Sequence, residues 1–238
     1  MDTELACQNT YLEEFGLNIL QPCDGYRFSV DSLLLVDFVN LRPGSKVLDI
    51  GTGCGVISLC LARKFASVSI TGIEIQASLF ELAKENVLRN DLTHRVHIIN
   101  GDIRDAEGLF SPGEFDVVVT NPPYRPPDTG RLCPNAQEAL SRHEILLDLN
   151  VLLNGVRYVL RPGGRFFCIY PADRAATLIG SSAQARLEPK AIQFIHPKQG
   201  SEARMFLMEA VKDARPGGLR VRPPLYVCEH RYGAAIGR

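Results

Sequence analysis

Residues 47–56 read VLDIGTGCGV, and this stretch determines the fold. An apolar run ends in Gly51, Gly53 and Gly55, and the segment after them has the apolar spacing of a helix, so the pattern predicts a strand, a tight turn and a helix. Glycines let a backbone approach a ligand closely, and the helix N-terminus behind them favours an anionic group. The dinucleotide-binding pattern GxGxxG requires Gly or Ala at its sixth position, where this chain has Val56. The turn therefore predicts a ligand site and argues against NAD.

Strand-like runs alternate with amphipathic runs from residue 46 to about residue 186, a pattern typical of parallel βα units. The predicted parallel strands are 46–50, 68–75, 96–100, 115–120 and 165–170, and the predicted helices are 55–65, 77–90, 136–160 and 172–183. The runs 190–195 and 204–211 are joined by a turn too short for a crossover helix, so they predict an antiparallel pair at one sheet edge. We expect an α/β fold with a mostly parallel, seven-stranded sheet that ends in an antiparallel hairpin.

The segments on either side of this alternation are less regular. We expect Asp31 or Ser32 to cap a helix over 33–39, and the segment QPCDGYRF, residues 21–28, to form a lid or a sheet-edge hairpin. The C-terminal segment is rich in glycine and proline, which predicts an extended tail tucked against the domain through residues 225–227. The predicted organisation is an N-terminal substrate-side segment with its capping helix over 1–45, one α/β domain over 46–213 and an extended basic tail over 214–238.

The composition is that of an ordinary globular protein. The 238 residues are 45% apolar and 22% charged, and a chain of this length buries enough surface to fold without disulfides or a metal. Seven cysteines and five histidines form no CxxC or HxxxH pair, so we expect no metal site. No apolar run is long enough to cross a bilayer, and the first residues are acidic, unlike a signal peptide, so we expect a cytoplasmic protein with no membrane partner. The sequence contains no dimerisation helix, and we expect a monomer.

The net charge of −1 hides an uneven distribution. Residues 1–156 contain 12 Lys and Arg against 21 Asp and Glu, whereas residues 157–238 contain 14 against 6. Arginine outnumbers lysine 20 to 6, and its planar guanidinium matches phosphate oxygens well. The basic C-terminal third is therefore a candidate surface for a nucleic-acid backbone; a charged face that serves only solubility is the alternative.

Three acidic residues stand at the ends of successive predicted strands. Asp49 precedes the glycines, Glu74 ends the second strand and Asp102 follows the third. A carboxylate at the end of the second strand can accept both hydroxyl groups of a ribose, and Asp102 is placed to meet an adenine edge. Because the glycine-rich turn contains no basic residue to hold phosphates, the set fits a cationic nucleoside cofactor without a pyrophosphate, and S-adenosylmethionine is such a molecule. Taken singly, the same residues are also explained as helix caps and solvated loop acids.

The fourth predicted strand ends in Asn121-Pro122-Pro123-Tyr124. The lone pair of the amino group on adenine is delocalised into the ring, so a catalyst gains by accepting hydrogen bonds from that group. The Asn121 side-chain oxygen and the Pro122 carbonyl can do so, and consecutive prolines stiffen the loop that holds them. Tyr124 offers a ring face on which the base can stack. We predict these four residues as catalytic; a strand that merely stops at prolines is the alternative.

The motif DIGTGCG, with GIEI and GD downstream, resembles the cofactor-binding motifs of the Rossmann-like class I methyltransferases over about residues 46–212. The resemblance implies a methyltransferase domain that uses S-adenosylmethionine. It also implies that Asp49 and the glycines hold the methionine part of the cofactor, Glu74 the ribose and Asp102 the adenine. The full set of predicted cofactor-binding residues is Asp49, Gly51, Thr52, Gly53, Gly55, Glu74, Ile75, Asp102, Ile103 and Asn121.

The motif NPPY resembles that of methyltransferases acting on amino groups of adenine, cytosine or glutamine side chains. The sequences PCDGYRFSVDSLLL, NPPYRPPDTGR, SRHE and RPPLYV are similar to those of bacterial enzymes that methylate the adenine N6 just 3′ of the anticodon in a valine tRNA. This resemblance implies tRNA as the partner, with Tyr26, Phe28, Arg125 and Arg131 as substrate-binding residues; packing and solvated charge are the alternative explanations for them. The C-terminal CEHRYGAAIGR departs from the usual tail of that family.

These observations predict an enzyme that transfers a methyl group from S-adenosylmethionine to the N6 of an adenine in RNA. A methyltransferase acting on ribosomal RNA or on a protein glutamine is the second hypothesis. A non-catalytic RNA-binding module that keeps the fold is the third.

Overall fold

The computed structural model describes residues 7–23, 28–122 and 149–230. Its strands are β1 (Cys7–Leu12), β2 (Leu17–Pro22), β3 (Lys46–Ile50), β4 (Ser69–Glu74), β5 (Val96–Asn100), β6 (Phe115–Thr120), β7 (Leu160–Pro171), β8 (Leu187–His196), β9 (Met205–Lys212), β10 (Arg220–Val221) and β11 (Leu225–Tyr226). Its helices are α1 (Val30–Phe38), α2 (Val56–Lys64), α3 (Ala77–Arg89), α4 (Ala106–Leu109), α5 (Leu149–Val159) and α6 (Ala175–Gln184). Over these ranges no helix has the length and apolar character needed to span a membrane.

A sheet of nine strands organises the described chain in the order β10-β8-β9-β7-β6-β3-β4-β5, with β11 also paired to β8. The five strands β3 to β7 all run parallel to one another, whereas β9 runs antiparallel to both β7 and β8. The predicted mostly parallel α/β sheet that ends in an antiparallel hairpin is confirmed. The strands beyond the predicted seven, β10 and β11, are two residues long each and come from the C-terminal segment.

The parallel strands are buried on both faces, and consecutive side chains enter different core clusters. In β3, Val47 packs in a cluster with residues of α1 and α2, whereas Leu48 packs in a cluster with residues of α5. In β6, Val117 and Val118 divide in the same way. Side chains that alternate between two apolar layers explain why these strands are continuous apolar runs.

The boundaries around β7 differ from those predicted. Helix α5 ends at Val159, and β7 already begins at Leu160, so the Arg-Pro-Gly-Gly sequence that predicted the end of the helix lies within the strand. The β6–β7 register shifts between Phe115 and Val117, because the proline and glycines form a bulge rather than a loop. Residues 136–148 of the predicted helix lie outside the described residues.

The segment predicted as a lid or a sheet-edge hairpin, residues 21–28, lies partly outside the described residues, and its first two residues end β2. Strands β1 and β2 form a separate two-stranded sheet that lies on α3. The Asn86 side chain accepts a hydrogen bond from the Leu20 amide at 2.8 Å and donates one to the Leu20 carbonyl at 2.8 Å. Asn90, one helical turn later, makes the same pair of contacts with Asn18 at 2.9 Å each. The two amides therefore bind β2 in the way that a neighbouring strand would.

The N-cap of α1 is Ser29, so the prediction of Asp31 or Ser32 was wrong. Ser29 has the extended backbone of an N-cap, and its carbonyl accepts a hydrogen bond from the Ser32 amide at 3.1 Å. Its hydroxyl donates to the Asp31 carboxylate, which thereby lies within the first turn. The helix starts earlier because this serine, not the later polar residues, stands at the transition from extended chain.

The C-terminal segment extends along β8. Leu225 and Tyr226, which were predicted to contact the domain, pair with Ile195 and His196. Nearer the start of the segment, the Lys190 ammonium donates to the carbonyls of Arg215 and Gly217 at 2.6 Å each. The glycines and prolines that keep this segment extended thus leave its backbone available for pairing with an edge strand.

Candidate active site

The parallel strands end at one edge of the sheet, which we call the carboxyl edge. The strand order reverses between β3 and β6, since β3 leads to β4 and β5 on one side and has β6 on the other. Such a switch point opens a crevice in which α/β proteins bind ligands. Ile50 pairs with Thr120, and the Thr120 hydroxyl donates to the Ile50 carbonyl at 2.8 Å. The glycine-rich loop after β3 and Asn121 after β6 therefore leave the sheet side by side.

The glycine-rich loop folds back over β4 before α2 begins. The amides of Gly51 and Thr52 donate to the Ile73 carbonyl at 2.9 and 3.1 Å. Gly51 has a φ of +69°, a backbone conformation that residues with a Cβ atom rarely adopt. A Cβ atom placed there would meet no other atom within 4 Å. This open space beside the backbone is a cradle that a bound ligand can occupy.

Asp49 lies beneath this loop and is fully buried. Its Oδ2 accepts hydrogen bonds from the hydroxyls of Thr52 at 2.6 Å and Ser58 at 2.8 Å. Its Oδ1 has no hydrogen-bond partner among the described residues. Burial raises the pKa of Asp49 to about 6, and the two hydroxyls only partly offset this effect. A buried carboxylate with an unsatisfied oxygen fits a cationic ligand, which supplies the missing partner.

Glu74, at the end of β4, is held against the same loop. Its Oε2 accepts from the Gly53 amide and its Oε1 from the Gln76 amide, both at 2.9 Å. Burial raises its pKa, and these amides act in the opposite direction. A carboxylate has about four acceptor positions, so two remain for ligand hydroxyl groups. The fixed carboxylate is thus suited to the two hydroxyls of a ribose.

Asp102 follows β5 and is more exposed than the other two acids. Its Oδ1 accepts from the Arg104 amide at 2.8 Å, and its Oδ2 pairs with the Arg104 guanidinium. These contacts lower the pKa of Asp102, although partial burial acts against them. Ile75 is exposed beside this edge, whereas Ile103 is buried beside Gly155 of α5. The structure therefore brings the three predicted acids to one edge of the sheet. The side chains of Asp49 and Glu74 are buried there, whereas that of Asp102 is partly exposed.

Asn121 is the first residue after β6, and its side chain is anchored by α1. Its Nδ2 donates to the Ser32 hydroxyl at 3.1 Å, and Ser32 is fully buried. Pro122 is also buried. Phe28 is partly buried and packs against the core cluster that contains α1. The predicted site residues Pro123, Tyr124, Tyr26, Arg125 and Arg131 lie outside the described residues.

The site also contains two residues that sequence reasoning did not assign to it, Ser32 and Ser58. Both are fully buried hydroxyls that contact a predicted site residue. Ser58 interrupts the apolar helical run VISLCLA, and Ser32 directly precedes the apolar run LLLV. A polar residue on a buried helix face is the signal that could have revealed them. Cys54, in the loop itself, has its pKa raised by burial to about 12, so its thiol stays neutral.

A protein-family model described as a methyltransferase domain matches residues 41–210 of this chain. The chain belongs to this methyltransferase family. Membership confirms the predicted class of fold and S-adenosylmethionine as the cofactor. The geometry agrees, because the crevice offers a cationic nucleoside the buried Asp49 carboxylate, the fixed Glu74 carboxylate and an open glycine backbone.

Individual relatives refine this assignment. A tRNA1(Val) (adenine(37)-N6)-methyltransferase of Phocaeicola vulgatus is 32% identical over 183 residues, which are 76% of this chain and 75% of that protein. The Dyadobacter fermentans protein of the same name is 26% identical over 93% of this chain and 90% of its own length. The similarity to the first protein places this chain in the same family.

Solved structures agree on the fold alone. A predicted O-methyltransferase from Agrobacterium tumefaciens superposes with a TM-score of 0.67 at 21% identity, over 83% of this chain and 87% of that chain. A geranyl diphosphate C-methyltransferase from Streptomyces coelicolor, solved with S-adenosyl-L-homocysteine, gives a TM-score of 0.56 at 14% identity, over 76% of this chain and 78% of that chain. The architecture is therefore shared with methyltransferases of different acceptors.

Proposed function

We propose that this protein transfers a methyl group from S-adenosylmethionine to the N6 amino group of an adenine in tRNA. The observation that carries the proposal is the position of Asn121 and Pro122, which directly follow the strand paired with β3 and its glycine-rich loop. The family relatives named for methylation of adenine 37 in tRNA1(Val) support tRNA as the RNA and the position beside the anticodon as the target.

Asp49, Glu74, Asp102 and the backbone around Gly51 are the groups that would hold the cofactor. Bound S-adenosylmethionine supplies a methyl group that its sulfonium charge has already activated. Asp49 holds a negative charge in a water-excluded position, where an electrostatic interaction is stronger than in solution. Glu74 orients ribose hydroxyls because two backbone amides fix its carboxylate.

Asn121 and Pro122 act on the acceptor. The Asn121 side-chain oxygen and the Pro122 carbonyl accept hydrogen bonds from the two N–H groups of the adenine amino group, which makes its nitrogen lone pair more available outside the ring. When the new C–N bond has replaced the C–S bond of the donor, the nitrogen releases one proton to solvent. Pro123 and Tyr124 belong to the same proposed set, the first as a stiffening residue and the second as a stacking surface. The activation of the methyl group comes with the donor, so the contribution of the chain is alignment and hydrogen-bond acceptance rather than strong-base catalysis.

Radiolabelled S-adenosylmethionine with separate fractions of tRNA, ribosomal RNA and release factor, all from a strain lacking this gene, tests the proposal. We expect label in the tRNA fraction, and mass spectrometry of the digested RNA should identify N6-methyladenosine. If label appeared only in ribosomal RNA or only in protein glutamine, that molecule and not tRNA would be the acceptor, and the proposal would be wrong. The absence of turnover on every fraction would favour a non-catalytic RNA-binding module.

The variant Asn121→Ala separates catalysis from cofactor binding. We expect it to bind S-adenosylmethionine with nearly wild-type affinity in calorimetry and to lose most methyl transfer, because the adenine amino group loses a hydrogen-bond partner while Asp49, Glu74 and the glycine backbone still hold the cofactor. Full activity in this variant would contradict the role of Asn121.

A further inference from the structure

Two groups of basic residues from the C-terminal third lie at opposite ends of the sheet. At the end away from the carboxyl edge, Arg161 pairs with Asp116 where β6 begins, and Arg165 pairs with Glu209 at 3.7 Å. Arg186 pairs with Asp213 at 2.9 Å just outside the first residue pair of β8 and β9. These arginines form ion pairs with acidic residues of the chain itself, so their charges are largely neutralised and contribute little to a surface that could bind RNA.

Lys198 and Arg204 form the second group, at the carboxyl edge. They flank the turn between β8 and β9, and both are exposed. The Arg204 carbonyl accepts a hydrogen bond from the Ala172 amide at 3.0 Å, directly after the end of β7. Neither side chain forms an ion pair or hydrogen bond with a described residue. The two cations are therefore available to a ligand from solution.

The turn that presents Lys198 and Arg204 is held in one shape. The Ser201 hydroxyl donates to the Lys198 carbonyl at 2.6 Å and accepts from the Lys198 amide at 3.2 Å. His196 Nδ1 contacts the Ser201 carbonyl at 2.7 Å, and Gly200 supplies a φ of +79°. A backbone fixed in this way loses little conformational entropy when a ligand binds.

The position of this turn suits an RNA that reaches the proposed catalytic residues. Strand β9 is two strands from β6, about 10 Å to the side, and Met208 is level with Thr120 through Cys168. Arg204 is four residues further along, so it lies about 16 Å from the end of the strand that leads to Asn121. An arginine side chain and a short stretch of RNA backbone beside the target adenine span such a distance.

We propose that Lys198 and Arg204 bind phosphates of the tRNA that flank the target adenine. This inference rests on the proposed function and assigns it a docking surface. Guanidinium and ammonium groups at a fixed spacing suit phosphate oxygens, and they would contribute affinity without reading base sequence. The exposed Glu202, in the same turn, opposes this binding by repelling phosphates.

The test is the affinity of the full-length protein for tRNA as a function of salt, measured for wild type and for the double variant Lys198→Ala/Arg204→Ala. Each phosphate contact with single-stranded nucleic acid contributes about 0.7 to the slope of log K against log salt, so two contacts contribute about 1.4. We expect binding about 25-fold weaker than wild type at 0.1 M monovalent salt and about threefold weaker at 0.5 M.

Two further variants make the test specific. Arg186→Ala/Arg220→Ala removes the same charge away from the carboxyl edge; Arg220 pairs with Ala191, about 16 Å along β8 from His196. We expect it to bind tRNA nearly as wild type does. Glu202→Gln should bind about fivefold more tightly at 0.1 M salt, because one unit of repulsion is lost. All variants should keep the wild-type affinity for S-adenosylmethionine, which reports that they are folded.

The possible outcomes separate this inference from the function on which it rests. If the wild type methylates tRNA but the double variant at 198 and 204 binds it unchanged, the docking surface is wrong and the function stands. Equal weakening by the control at 186 and 220 would mean a bulk charge effect and would also overturn the surface. If the wild type does not methylate tRNA at all, the proposed function itself fails.

A second inference concerns the contact between Ser32 and Asn121. In the structure the Asn121 amide nitrogen donates to the Ser32 hydroxyl, so the nitrogen is the end of the amide that faces α1. The oxygen is then on the other branch of the same group. Ser32 itself is rigidly placed, because the α1 residues that follow it are buried in one core cluster.

We infer that Ser32 is a positioning residue that orients the Asn121 amide for its proposed role. A double-mutant cycle tests this with Ser32→Ala, Asn121→Ala and the combination, in single-turnover methyl transfer. We expect Ser32→Ala to lower the rate about tenfold, with the affinity for S-adenosylmethionine unchanged. In the Asn121→Ala background the same substitution should have no further effect.

Additivity of the two substitutions would show that Ser32 acts through the fold and not through Asn121, and would overturn the inference. Thermal unfolding of Ser32→Ala accompanies the kinetics, because a purely structural role would lower the midpoint and slow both backgrounds equally. Ser32→Ala at full wild-type rate would overturn the inference as well.

Discussion

Replacing Asp49 by asparagine should stabilise the protein without its cofactor and weaken its binding of that cofactor. The pKa of Asp49 is raised from 3.8 to about 6 in the fold, so above pH 6 the folded state contains a charge that the unfolded state solvates better. A difference of about 2 units corresponds to about 3 kcal/mol of lost stability. Well below pH 3.8 the carboxyl group is protonated in both states, and this loss of stability disappears.

Asparagine keeps an oxygen for the hydroxyls of Thr52 and Ser58 but is never charged. Its amide nitrogen takes the position of the unpaired Oδ1, which we expect to cost about 1–3 kcal/mol at every pH. The diagnostic quantity is therefore the pH dependence of the difference between Asp49→Asn and wild type. Between pH 7 and pH 4 this difference should shift by about 2.4 kcal/mol in favour of wild type, measured by urea unfolding without cofactor.

Cofactor affinity should respond in the opposite sense. A cationic ligand favours the charged form of Asp49, so wild type should bind S-adenosylmethionine about tenfold more weakly at pH 5 than at pH 7, when about nine-tenths of the carboxyl groups are protonated. Asp49→Asn should bind more weakly at pH 7 and should lack this component of the pH dependence. The reasoning would be refuted if the unfolding free energy and the cofactor affinity each had the same pH dependence in Asp49→Asn as in wild type.

Three further predictions concern the fold around the site. Asn86→Ala removes the hydrogen bonds with the Leu20 backbone and with the Cys54 carbonyl at 2.9 Å, and we expect the free energy of unfolding in urea to fall by about 2–3 kcal/mol. An unchanged unfolding midpoint would mean that the hairpin docks by other contacts. Gly155→Ala should destabilise by about 1–3 kcal/mol, because its Cβ would lie 2.8 Å from the Ile103 side chain and 3.1 Å from its carbonyl; calorimetric unfolding at an unchanged temperature would contradict this. Arg186→Ala should lower the free energy of unfolding in urea by less than about 1 kcal/mol, since its ion pair with Asp213 is largely exposed. A larger loss would mean that this ion pair contributes to stability as a buried pair does.

The sequence by itself determined the order of elements and the chemistry of the crevice. The turn VLDIGTGCGV, the run FDVVVTNPPY and the acids at the ends of β3, β4 and β5 are local signals, because glycine, proline and strand periodicity act on neighbouring residues. The same kind of local signal failed at α1, where the cap is Ser29 and not Asp31 or Ser32, which follow within three residues.

Tertiary structure alone decided which side chains meet and which charges stay available. Ser32 and Asn121 are 89 residues apart, and the docking of β2 on Asn86 spans 66 residues. The basic C-terminal third looked like one surface in the sequence, yet strand direction sends Arg186 and Arg204 to opposite ends of the sheet. The physical reason is that these contacts depend on how strands pair and helices pack across the core, which involves residues far apart in the chain, and the desolvation that raises the pKa of Asp49 arises only when that core closes.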